Sequence, residues 1–117
     1  MLKVLFVDDD ENILKSFKRV LHSYCKKYEF TFVLTGGEAL SVARTNPPDI
    51  LFTDSKMPGM SGFELIAKMK EWFPKVVTVI VSGEMGSGVK EGEAADYYLV
   101  KPCKVEEIVS ILEEQEL

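Results

Sequence analysis

Asp8, Asp9 and Asp10 cut off an apolar run that begins at Lys3, and Asp54 ends another that begins at Asp49. Ser82 closes a third such run and Lys101 a fourth. If the four runs are neighbouring strands, carboxylates, a hydroxyl and an ammonium meet at one edge. Carboxylates within about 4 Å of each other repel strongly in a partly desolvated pocket, and one lysine cannot neutralise three of them. A divalent cation is therefore expected. Hard oxygen ligands in an open crevice suit Mg2+ or Mn2+, whereas zinc would draw on histidine and cysteine. With the charge offset, an acidic pocket can receive a phosphoryl group and still keep one carboxylate as nucleophile. The loop after the first run is acidic and repels anions, so a directly bound phosphate or flavin is not expected there.

The elements that would position these residues alternate along the chain. Lys3–Val7 reads as a strand, followed by a helix with Ile13, Leu14, Phe17, Val20, Leu21 and Tyr24 on one side and Lys15, Lys18 and Arg19 on the other. Phe30–Leu34 predicts a second strand, Gly36-Gly37 a turn, and Glu38–Arg44 a short helix with Ala39, Leu40, Val42 and Ala43 inward. Pro47-Pro48 ends that helix, and Asp49–Thr53 runs as a third strand into Asp54. A loop over Ser55–Gly62 leads to a helix from Phe63 to Trp72, which stops before Pro74. Val76–Val81 is β-branched throughout and predicts a central strand. Tyr97–Val100 predicts a fifth strand, and Val105, Ile108, Val109 and Leu112 mark a closing helix. Strict alternation of strands and helices predicts a parallel sheet covered on both faces, because crossovers are right-handed. Ligands of such sheets bind at the carboxyl ends of the strands, where the polar residues above are found.

Composition narrows the function classes. The 117 residues suffice for one domain with its own core, and the chain has no internal repeat or biased segment. Fourteen basic against nineteen acidic residues give a net charge of −5, the wrong sign for gripping nucleic-acid phosphates. Cys25 and Cys103 stand far apart and away from histidine, which predicts plain thiols. The sequence shows neither a membrane span nor a signal peptide, so a cytoplasmic location is expected.

Four segments together give the chain a family resemblance: Val7-Asp8-Asp9-Asp10, Asp54-Ser55-Lys56-Met57-Pro58-Gly59-Met60-Ser61-Gly62, Ser82-Gly83 and Tyr98-Leu99-Val100-Lys101-Pro102. In order and spacing the sequence resembles the receiver domain of bacterial two-component response regulators, over nearly its whole length. The resemblance implies a flavodoxin-like α/β fold, strand order 2-1-3-4-5, as a single receiver domain over residues 1–117. It implies Asp54 as phosphoacceptor, Mg2+ (or Mn2+) on Asp8, Asp9, Asp54 and the backbone carbonyl of Lys56, and Lys101 pairing with the acceptor. Ser82 matches the hydroxyl that moves to the phosphoryl oxygen, and Tyr98 the aromatic residue that turns inward with it. The Lys101–Pro102 peptide is expected to be cis. The implied partners are a sensor histidine kinase or phosphotransfer protein and a downstream effector or fused output domain. Direct nucleic-acid binding and membrane contact by this domain are not expected. The only catalysis implied is of the domain's own phosphorylation and dephosphorylation.

Simpler roles compete at several positions. Asp10 reads as the cap of the first helix, and His22 as a surface or half-buried side chain with no phosphodonor role. Tyr98 lies in a strand where aromatics are ordinarily core, and its neighbour Tyr97 must point the opposite way. Lys56 and Glu84 stand two residues beyond the acceptor and the serine. Their opposite charges are expected to pair over the phosphoryl group and slow its loss. Gly83, Gly86, Gly88 and Gly92 predict that any helix between Ser82 and Lys101 is short or irregular. Two other classes share some of the pattern. An interaction module without phosphorylation would have the same shape. A haloacid-dehalogenase-like phosphatase would use Asp8 and Asp10 as Asp-x-Asp, although Asn12 replaces its usual threonine or valine.

Overall fold

The computed structural model describes residues 1–83 and 95–116. It contains strands β1 (Leu2–Val7), β2 (Tyr28–Val33), β3 (Ile50–Asp54), β4 (Val77–Ser82) and β5 (Tyr97–Val100). Helices α1 (Glu11–Leu21), α2 (Gly36–Thr45) and α3 (Gly62–Trp72) follow β1, β2 and β3, α4 (Val105–Glu114) follows β5, and a 3-10 turn over His22–Tyr24 extends α1. The strands form one sheet in the order β2-β1-β3-β4-β5, every neighbouring pair parallel. This is the flavodoxin-like arrangement expected from the sequence.

Period-two alternation divides the core. Val4, Phe6, Ile50, Phe52, Val79 and Val81 face Leu14 and Leu21 of α1 and Ile108 and Leu112 of α4. Leu5, Val7, Leu51 and Ile80 face Ala39 and Ala43 of α2 and Leu65 and Met69 of α3. Helices therefore cover both faces, which is why β1, β3 and β4 carry apolar residues at consecutive positions. Each large side chain so buried contributes roughly 1.5–3 kcal/mol.

Three loops set the helices at the sheet's carboxyl edge. The Asp10 side chain accepts from the Asn12 amide at 2.9 Å and caps α1, as expected. Thr35 Oγ1 accepts from the Glu38 amide at 3.0 Å and caps α2. Ser61 and Glu64 close a capping box on α3.

Several boundaries differ from the sequence reading. Gly36 and Gly37 are not a separate turn; they form the first turn of α2, because the Thr35 cap starts the helix ahead of them. Tyr24 lies in the 3-10 turn, and Val76 precedes β4. β3 holds the middle of the sheet, with β4 flanked by β3 and β5. Val20 is 43% exposed, since Leu14 and Leu21 take the line of α1 that faces the sheet. With Ile13 and Phe17 it borders a cavity of about 560 Å³ against Pro102, Cys103 and Val105. Cys25 and Cys103 are free thiols, and the Lys101–Pro102 peptide is cis.

Candidate functional site

Asp8 continues the pairing of β1, its amide donating to the Val33 carbonyl at 3.2 Å. Its carboxylate is buried and engaged at both oxygens. Oδ1 accepts from the Asp10 amide at 2.9 Å, and Oδ2 lies 2.9 Å from Lys101 Nζ. Asp54 ends β3 two strands' width from β5, and its Oδ1 lies 3.3 Å from the same ammonium. One carboxylate oxygen each from Asp8, Asp9 and Asp54 fall within 4.8 Å of one another. Lys101 is placed by its amide, which donates to the Ser82 carbonyl at 2.9 Å and so extends the β4–β5 ladder.

The electrostatics follow from this crowding. Burial raises the Asp54 carboxyl above the ordinary range and the Asp8 charge adds to it, with Lys101 countering only in part. For Lys101, burial alone would lower the ammonium, but Asp8 and then Asp54 outweigh it and hold it above the ordinary lysine range. An all-oxygen cluster of one buried, one half-buried and one exposed carboxylate fits a hard divalent cation, as its donor chemistry requires. Asp10 stands outside that cluster as the α1 cap, an arrangement that gives no support to an Asp-x-Asp phosphatase pair.

A glycine supports Asp54 from behind. The Gly62 amide donates to the Ser55 carbonyl at 3.0 Å, and a Cβ at Gly62 would collide with the Asp54 carbonyl oxygen. The first turn of α3 thus packs directly on the end of β3. In the loop between them Gly59 takes φ +82°, a left-handed conformation suited to glycine.

The other expected residues fall on the opposite side of the sheet. Asp8, Asp54 and Lys101 follow the parity of Phe6, Phe52 and Leu99, towards α1 and α4. Ser82 follows Ile80, towards α2 and α3, and Tyr98 is its same-face neighbour because Ile80 pairs with Tyr98. Ser82 Oγ lies 2.9 Å from Ser55 Oγ, which donates to it. Tyr98 is 46% exposed, and its hydroxyl accepts from the Ala95 amide at 3.0 Å. Lys56 is exposed in the loop after β3. Glu84, and with it the expected Lys56–Glu84 pair, lies outside the described residues, as does the segment expected to be a short or irregular helix.

Sequence reading missed Ser55 and Gly62 as site residues. Ser55 shows no pattern of its own; only the register of β3 against β4 reveals what it touches.

A parallel α/β sheet in the order 2-1-3-4-5, with carboxylates from two strand ends bridged by a lysine from a third, defines the class: a doubly wound domain with an acidic cleft at its carboxyl edge. Residues 4–113 match the response regulator receiver domain, and the chain belongs to that family, a signalling module of two-component systems. It is 36% identical over 124 residues to the uncharacterized transcriptional regulatory protein YesN of Bacillus subtilis, covering 97% of this chain and 32% of YesN. The chain thus spans about a third of that relative's length. The chemotaxis protein CheY4 of Vibrio cholerae superposes with a TM-score of 0.86 at 28% identity, over 97% of this chain and 98% of CheY4. The BeF3-activated receiver domain of DrrB gives a TM-score of 0.83 at 25% identity, over 97% of this chain and 96% of DrrB's. Among the described residues no helix is long and apolar enough to cross a membrane.

Proposed function

We propose that the chain is a phosphorylation-switched module that takes a phosphoryl group onto Asp54 from the phosphohistidine of a sensor histidine kinase or phosphotransfer protein. The observation that carries this reading is the convergence of Asp8, Asp9 and Asp54 with Lys101 Nζ at 2.9 and 3.3 Å from two of them. An Asp54 carboxylate oxygen forms the bond to phosphorus as the donor's N–P bond breaks. Asp8, Asp9, Asp54 and the Lys56 carbonyl would hold Mg2+ or Mn2+. When bound, the cation offsets carboxylate charge and neutralises the phosphoryl oxygens. Lys101 pairs with the acceptor before transfer and with the phosphoryl group after it. The phosphoryl group, which carries about −2 where the carboxylate carried −1, draws the Ser82 hydroxyl across, and Tyr98 turns into the space that opens.

The apolar line of Ile13, Phe17 and Val20 opens beside Lys101 and gives the donor protein a surface adjoining the acceptor. The relative YesN is a transcriptional regulatory protein, which supports an output domain or separate effector downstream. Beryllofluoride activation of DrrB supports the same chemistry at Asp54 here.

Intact mass after incubation with Mg2+ and acetyl phosphate or phosphoramidate tests the reading. A labile gain of about 80 Da in the wild type and none in Asp54→Asn is expected. No gain in the wild type with either donor would overturn it in favour of an interaction module without phosphorylation.

A further inference from the structure

Ser55 is 8% exposed and its hydroxyl donates to Ser82 Oγ at 2.9 Å. β3 and β4 pair with Asp54 opposite Val81, which brings Ser55 alongside Ser82. Both hydroxyls lie on the parity that faces α2 and α3, whereas Asp54, Asp8 and Lys101 share the parity that faces α1 and α4. A Ser82 hydroxyl that bonds a phosphoryl oxygen on Asp54 must therefore leave Ser55.

We infer that Ser55 is a positioning residue: it holds the Ser82 hydroxyl away from Asp54, and the strength of their hydrogen bond contributes to how readily the modified state is adopted. This rests on the reading in which Ser82 moves to a phosphoryl group on Asp54. Two effects act in the same direction. Before modification, the bond stabilises Ser82 in its present place. After Ser82 has moved, the nearly buried Ser55 hydroxyl has lost that partner, and a buried polar group left unpaired costs more than the bond contributes when made. Alanine at position 55 removes both effects, so it favours the modified state.

Beryllofluoride, a phosphoryl mimic, is titrated with saturating Mg2+ into the whole chain and followed by backbone amide shifts. The proteins are wild type, Ser55→Ala, Ser82→Ala and the double variant, with thermal midpoints measured alongside. Ser55→Ala is expected to half-saturate at a beryllofluoride concentration about three- to tenfold lower than wild type. Ser55→Cys, whose thiol is a weaker donor, should move the same way by less. Ser82→Ala should bind more weakly, and adding Ser55→Ala to it should change nothing further. A merely structural role would instead lower the midpoint without this dependence on Ser82.

Equal half-saturation for wild type, Ser55→Ala and Ser55→Cys overturns the inference alone. The same holds if Ser55→Ala shifts affinity equally with and without the Ser82 hydroxyl. Absence of binding by wild type, or equal binding by Asp54→Asn, overturns the phosphoacceptor reading and this inference together.

Discussion

Lys101 Nζ lies 3.3 Å from Asp54 Oδ1 although their strands are not neighbours; β4 runs between β3 and β5, and the lysine passes over its end. The same ammonium is 2.9 Å from Asp8 Oδ2. It therefore ties three strand ends together and occupies the charge environment a divalent cation would share.

Replacing it separates those two consequences. Lys101→Ala leaves the carboxylates of Asp8, Asp9 and Asp54 with one positive charge fewer, so Mn2+ should bind about tenfold more tightly by calorimetry or spin-resonance titration. The mass gain with acetyl phosphate should fall at the same time. Weaker Mn2+ binding would show that the lysine supports the cation site instead of competing with it.

Gly62→Ala tests how closely α3 must approach β3. The new methyl meets the Asp54 carbonyl oxygen, which is backbone and cannot swing aside. A loss of about 1–3 kcal/mol in urea unfolding is expected, together with weakened Mn2+ binding as Asp54 shifts. Unchanged stability would mean that the helix start has room to retreat.

Asp96 gives a pH signature remote from the acidic cleft. Burial pushes its carboxyl up, but the Thr78 amide at 2.8 Å, Lys70 Nζ at 3.0 Å and the Thr78 hydroxyl outweigh it and hold the group below the ordinary range. A carboxylate depressed on folding adds stability that is present above its unfolded value near 4, and that stability is lost as pH falls through the folded value. Wild type should accordingly be more stable than Asp96→Asn at neutral pH, with the gap closing below about pH 4. A gap independent of pH would assign the effect to packing.

Ser61→Ala removes the hydroxyl that accepts from the Glu64 amide at 3.1 Å. About 1 kcal/mol of stability should be lost in urea unfolding. Ser61→Asp should restore most of it, since aspartate caps equally well.

Strands and helices were legible because each carries its own period: the apolar runs of β1, β3 and β4 mark burial on two faces, and Pro47-Pro48 and Pro74 mark the stops. The placement of Asp8, Asp54 and Lys101 at one edge followed from a parallel sheet. Contacts that depend on register were not legible. Ser55 meets Ser82 only because Asp54 pairs with Val81, and sequence does not state which residues of β3 and β4 lie opposite. Val20 fits a helical apolar stripe, yet the sheet takes only the narrower line through Leu14 and Leu21. Gly62 reads as a loop residue, and its role appears only when α3 is laid against Asp54.

Asp54 and Ser55 are consecutive residues on opposite sides of the sheet, so a single peptide unit is the partition between the charged side and the hydroxyl side. In the proposed switch, a Ser82 hydroxyl that moves towards Asp54 crosses at that rim, beyond the packed side chains of the two core clusters. Phe6, Phe52 and Leu51 lie below that rim in the packed core, so on this reading their replacement by other apolar side chains would change folding strength more than responsiveness.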